Sequence, residues 1–112
     1  SILFCFPPGL SSFLLGNKQF ISSTIPESYI MLGDILDFDG TKEIHSQIKR
    51  NNSCYLWKNH YAIITGRNDF EVFDRLEVAE LTAQSVLKSE CLGGYRGLST
   101  EELLEIKKKY LN

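Results

Sequence analysis

Apolar residues in this chain come in short runs whose spacing changes between two and three-to-four, and each change marks a new element. Ile2 to Phe6 is a β-prone run stopped by Pro7-Pro8, and Ser11 to Leu15 fits a short helix ended by Gly16-Asn17. Gln19 to Ile25 is again extended in character. Pro26-Glu27 opens a helical turn through Leu32, since proline is tolerated in a first turn, and Gly33-Asp34 closes it before Ile35 to Phe38. Thr41 as N-cap, Ile44 and Ile48 on one face, and Asn51-Asn52 as the stop predict a further helix. Cys54 to Trp57 and Ala62 to Thr65 predict two strands joined by the polar turn Lys58-Asn59-His60.

The clearest element follows. Asn68 to Glu71 forms a start like a capping box, and apolar residues recur at Phe73, Leu76, Ala79, Ala83, Val86 and Leu87, which predicts a long helix with one buried face. Gly93-Gly94 ends it. A last helix starts at the capping box Ser99-x-x-Glu102 and carries Leu103, Leu104, Ile106 and Tyr110 toward a packing face. The pattern is that of an α/β chain with a helical C-terminal tail.

Composition changes this picture little. The 112 residues fit a single domain, 1–112, and 43% hydrophobic with 23% charged residues is ordinary globular usage. Net charge is −2, and the one basic run, Lys107-Lys108-Lys109, suits the negative end of a helix dipole, so no nucleic-acid partner is expected. Cys5, Cys54 and Cys91 are widely spaced and form no C-x-x-C motif, which reads as reduced thiols packed in a cytoplasmic protein. The apolar opening is too short for a signal-peptide core, and no run approaches the roughly 18 apolar residues of a membrane helix, so no membrane partner is expected.

The order of motifs resembles the class II aldolase/adducin-type domain, whose members include zinc-dependent fuculose-phosphate and rhamnulose-phosphate aldolases. The matching residues are Phe4-Cys5-Phe6-Pro7-Pro8, where the family has a His-x-His-Pro-Pro-like strand end, then Pro26-Glu27 with Gly33-Asp34-Ile35, and Asn59-His60, where the family has Asn-His-Gly. Thr65-Gly66-Arg67-Asn68, the stretch Phe73 to Gln84, Gly93-Gly94 and Leu98-Ser99-x-x-Glu102 continue the match. The resemblance covers the later half of the family domain. It implies a class II aldolase-like fold, in part, with a central mixed or antiparallel sheet and flanking helices.

In the family, two histidines of the His-x-His strand and one of Asn-His-Gly hold zinc, which polarises the oxygens of an enediolate while a carboxylate moves the proton. Carried over, the third ligand is His60, but the first two positions are Phe4 and Phe6, which have no lone pairs, and the glycine after the histidine is Tyr61. Strand alternation turns Cys5 to the opposite face, so it cannot replace them. The acidic catalytic residue belongs to the earlier half of the family domain. The expectation is a truncated aldolase-like protein without independent catalysis and without a cofactor, with an assembly or binding role as a homo-oligomer or with a partner chain. The alternative is part of a zinc-dependent sugar-phosphate lyase completed by another chain or segment. On the residues alone, His60 reads as a turn residue bonded to Asn59 or to backbone groups, and His45 as a surface residue of the Thr41 helix. Asp34, Asp37 and Asp39 alternate as a cation loop might demand, but no glycine and distal glutamate complete a calcium pattern, so a solvated strand edge is expected. Gly93 to Gly97 is glycine-rich without a preceding strand and reads as a helix stop rather than a phosphate cradle.

Overall fold

The period-two runs become one sheet and the longer periods become the helices around it. The structure, a computed structural model, describes residues 1–16, 19–94 and 96–110. In chain order the elements are β1 (Ile2–Cys5), α1 (Pro8–Leu15), α2 (Pro26–Leu32), β2 (Leu36–Asp37), β3 (Cys54–Trp57), β4 (Tyr61–Thr65), α3 (Asp69–Cys91) and α4 (Thr100–Tyr110). Among the described residues the sheet is four-stranded in the order β1-β4-β3-β2. β4 pairs antiparallel with both β1 and β3, while β2 joins β3 in parallel, so the sheet is mixed as expected.

Alternation gives the sheet two chemically different faces. Leu3, Cys5, Cys54, Leu56, Ala62 and Ile64 turn toward α1, α2 and α3, where Leu10, Phe13, Leu14, Leu32, Val72, Ala79 and Ala83 complete the main core. The opposite face presents Tyr55, Ile63, Trp57 and Tyr61, and is roofed in part by Phe38, Ile44 and Ile48.

Helix ends follow the capping chemistry, with one long-range exception. Asn68 accepts the Glu71 amide at 2.9 Å to start α3. Ser99 and Glu102 exchange both bonds of a full capping box at 3.0 and 3.1 Å to start α4. α3 ends at Cys91, where Gly93 and Gly94 take positive φ and the Gly94 amide returns to the Ser89 carbonyl at 2.8 Å. α1 begins earlier than its apolar pattern suggests, at Pro8, and its start is capped from a distance: the Glu80 carboxylate on α3 accepts the Gly9 and Leu10 amides at 2.7 and 2.9 Å. The expected stop at Gly16-Asn17 holds at Gly16, whose amide donates to the Ser12 carbonyl; Asn17 lies outside the described residues.

Four expectations are corrected. Gln19 to Ile25 is no strand: its described backbone bends and turns, with Phe20 packed on Phe13 at 4.8 Å between ring centroids and the Ser22 hydroxyl donating to the Gly33 carbonyl. The segment from Thr41 to Asn52 is a chain of turns and not a helix. Its side chains capture the backbone groups a helix would need: Glu43 takes the His45 and Ser46 amides, and Gln47 donates to the carbonyls of Asp39 and Glu43. Ile44 and Ile48 still share a packing face, against the second cluster. On α3 the innermost stripe is Val72, Ala79, Thr82, Ala83 and Val86, so Phe73 is displaced to the surface at 59% exposure. On α4 no residue is buried; Leu103 and Ile106 are half-covered, and Leu104 and Tyr110 are exposed.

Candidate functional site

The hairpin between β3 and β4 holds the histidine singled out by the sequence. Trp57 and Tyr61 are opposite partners, so Lys58, Asn59 and His60 form the loop. Asn59 adopts φ 66°, a left-handed conformation that asparagine tolerates better than most residues. The loop docks onto the C-terminal end of α1: the Asn59 amide donates to the Leu14 carbonyl at 2.9 Å, and the Lys58 ammonium donates to the Phe13 carbonyl. Carbonyls left without helical partners are thereby satisfied, and the loop is fixed in place.

His60 lies flat on Trp57, with centroids 3.6 Å apart and planes 6° from parallel. Its Nδ1 lies 3.0 Å from the Lys58 carbonyl oxygen and its amide donates to the Trp57 carbonyl at 2.9 Å. The imidazole is solvent-exposed, and Nε2 is the ring atom these contacts leave for ligation. Trp57 is itself held closely: a Cβ on Gly40 would sit 2.2 Å from the indole Cζ3, so only glycine lets that backbone pass.

From Trp57 a row of aromatic rings crosses the sheet to β1. Trp57 meets Tyr61 edge-on at 5.1 Å, and Tyr61 meets Phe4 at 5.1 Å and Phe6 at 6.5 Å, both edge-on. The two positions where the family resemblance expects imidazoles therefore share a face with the hairpin histidine, through this row. They bring phenyl rings to it. Cys5 points to the other side, where its thiol approaches the Ala62 carbonyl at 3.8 Å. Burial, aided by the charge of Glu80, pushes the Cys5 thiol up to about 11, and burial raises Cys54 as well, so both stay protonated and weakly ligating near neutrality. Among the described residues no group of three or more His, Cys, Asp or Glu side chains is placed to hold a metal ion. One imidazole beside two phenylalanines does not fit a three-histidine zinc site.

The remaining candidates do local work. Asp39 accepts the Thr41 amide at 2.9 Å and hydroxyl at 2.6 Å, which holds its carboxyl below the usual range, while Asp34 and Asp37 are exposed. His45 is exposed and belongs to the turn capped by Glu43. In the stretch from Gly93 to Gly97, Tyr95 lies outside the described residues, and the two positive-φ glycines serve the end of α3. Sequence reasoning missed the roles of Trp57, Tyr61 and Glu80. Alternation along β3 and β4 carries a signal for the first two, since Tyr55, Trp57, Tyr61 and Ile63 fall on one face with Phe4 and Phe6. For Glu80 the sequence holds no local signal.

Among the described residues no helix is long and apolar enough to cross a membrane. No known protein family matches the sequence, and no curated protein does. The structure is similar to that of YgbL from Klebsiella pneumoniae, a protein bearing the provisional description aldolase/epimerase/decarboxylase. The TM-score is 0.73 at 19% sequence identity, and the likeness covers 94% of this chain but 56% of that one. The chain thus spans little more than half the length of its structural neighbour, and at that identity what the likeness shows is the fold: this is a partial aldolase-like fold.

Proposed function

We propose that this chain is a metal-free aldolase-like domain, residues 1–112, that serves in assembly or binding and does not catalyse on its own. One observation carries the reading. At the place on the sheet face where the family resemblance expects zinc ligands, Phe4 and Phe6 pack edge-on against Tyr61 and the single histidine stacks on Trp57. Rings in edge-to-face contact form a cohesive apolar surface and offer a metal no lone pairs. The same rings are open to solvent along β1, an edge strand among the described residues, and just past its end: Ile2, Phe4 and Phe6 are exposed. Exposed apolar rows on a strand edge favour association, with a second copy or a partner chain.

The test is calorimetric titration of zinc and manganese into the purified chain, beside His60→Ala. The expected result is no stoichiometric binding in either protein. Micromolar binding that disappears in His60→Ala would overturn the reading. It would favour the second one, in which the chain is part of a metal-dependent sugar-phosphate lyase completed by another chain or segment. That second reading draws on the 56% coverage of the neighbouring structure, which leaves the rest of such a fold to be supplied from elsewhere.

A further inference from the structure

Among the described residues the sheet has two edges, β1 and β2, and they are finished differently. β2 is two residues long, and Asp34, Asp37 and Asp39 put carboxylates in and around it, the first two of them exposed. A short, charged edge resists pairing with its like. β1 is four residues long, and from Ile2 through Phe6 it carries no charged side chain, no proline and no glycine. Hydrogen-bond parity shows what this edge offers. The Ser1 amine donates to the Gly66 carbonyl at 2.7 Å and the Gly66 amide returns to the Ser1 carbonyl at 3.0 Å. In an antiparallel ladder such reciprocal pairs alternate with unbonded ones, so it is Leu3 and Cys5 that bond to β4. The other side of β4 agrees: the Thr65 amide donates to the Ser53 carbonyl at 3.0 Å, which commits the odd-numbered residues of β4 to β3 and the even-numbered ones to β1. Ile2 and Phe4 therefore turn their amides and carbonyls outward.

Exposure points to the same place. Ile2 and Phe4 are open on the aromatic face and Leu3 and Cys5 are half-open on the helix face, whereas Ala62, Ile63 and Ile64 of the adjoining β4 are fully buried. A strand open on both faces beside a buried neighbour has its uncovered surface at the edge itself. We infer that β1 pairs antiparallel with β1 of a second copy of this chain, about a two-fold axis at Phe4, joining two sheets into one. The inference rests on the assembly reading above and names its partner. Of the three ways to join the edges of two copies, β2 to β2 opposes carboxylates, and β1 to β2 offers only two residues for pairing. β1 to β1 sets apolar against apolar and is self-complementary, as a two-fold contact must be. With Phe4 opposite Phe4 of the second copy, Ile2 faces Phe6, so all three exposed apolar residues gain a partner. Side chains directly opposite in an antiparallel pair share a face. The ring row of Trp57, Tyr61 and Phe4 thus runs on into the same row of the second copy, and the helices of both copies lie together on the other face.

Sedimentation velocity over a wide protein concentration range tests this with the wild type, F4K, F4E and F4P. Each variant alone is expected to weaken self-association by about tenfold or more. F4K and F4E bring like charges together at the two-fold axis, and F4P removes an outward amide while leaving every bond between β1 and β4 in place. An equimolar mixture of F4K and F4E is expected to associate more tightly than either variant by itself, because opposite charges then face each other across the axis. Circular dichroism and chemical denaturation verify that the variants fold as the wild type does. A wild-type chain that stays monomeric throughout overturns the inference; if the same chain also binds no zinc, the metal-free reading stands without it. Association that survives F4P and both charge variants overturns it too, while the assembly reading stands. A mixture of F4K and F4E no tighter than its components rules out the two-fold pairing at Phe4.

Discussion

The two faces of the sheet are built from the same four strands yet differ in almost every other respect. The helix-side face is aliphatic and closed: Cys54, Ala62 and Ile64 have no exposure, and three helices cover them. The opposite face is aromatic and graded. It is closed over Tyr55 and Ile63 by the turns of residues 39–52, half-open at Trp57 and Tyr61, and exposed at Phe4 and Phe6. Burial decides what each face can do. A closed aliphatic face supplies stability, whereas an open aromatic face keeps the polarisable rings and the exposed edge from which binding can be built.

The comparison breaks first under truncation of buried aliphatics. Ile64→Ala on the helix side is expected to destabilise by about 3 kcal/mol in chemical denaturation, through lost burial and a cavity among rigid neighbours. Tyr61→Ala, which removes the hub of three ring contacts on the other face, costs about 2 kcal/mol, since its side chain is only half-covered. Phe4→Ala is expected to cost under about 1 kcal/mol because the residue is already 52% exposed, and, on the association reading proposed above, to lower self-association instead. A Phe4→Ala penalty equal to that of Ile64→Ala would show that the aromatic face is covered in solution.

Proton concentration separates the faces in opposite directions. The carboxyls of Asp39 and Glu43 sit below their usual range, chiefly through the Thr41 hydroxyl for the first and the His45 and Ser46 amides for the second. Groups with depressed folded pKa values contribute stability above the ordinary carboxylate range and lose it as pH falls through the depressed values. Acid therefore loosens the roof of the aromatic face, and the protection of the Thr41, His45 and Ser46 amides from hydrogen exchange is expected to drop there before that of β3 and β4. Thiols with raised values behave in the reverse sense: Cys5 and Cys54 stabilise the helix side at pH below the ordinary thiol value and cease to do so as pH rises through their folded values, about 11 for Cys5. The smallest effect sought is a difference in labelling. Iodoacetamide should modify exposed Cys91 first, Cys5 slowly, and Cys54 only on unfolding; prompt native-state reaction of Cys54 would mean the helix side is not closed.

What was legible in the sequence is what depends on neighbours along the chain. The β3–β4 hairpin, the Ser99–Glu102 box and the length of α3 follow from turn polarity, capping and periodicity within a few residues. The segment from Thr41 to Asn52 failed because its apolar spacing suits a helix while Asp39, Glu43 and Gln47 hold its backbone in turns. The buried stripe of α3 was placed one residue off at Phe73, since Val72 and Phe73 fit the period equally and only the packing against β4 and the flanking helices chooses between them. For the candidate site, the family resemblance directed attention to positions 4, 6 and 60. The partners that make a surface of them, Trp57 and Tyr61, become evident only once strand register aligns β1, β4 and β3.

The Glu80 clasp bears on the order of folding. The Gly9 and Leu10 amides are 71 and 70 residues from the carboxylate that receives them, so α1 gains its cap only after most of the chain has been brought together. Eight residues are too few for a helix to persist alone in water, and closing so long a loop costs entropy before any contact repays it. α1 is therefore a late arrival, secured by its neighbours and not by its own sequence. Glu80→Ala should speed unfolding and leave the folding rate nearly unchanged, which is the kinetic mark of a bond made after the transition state has passed.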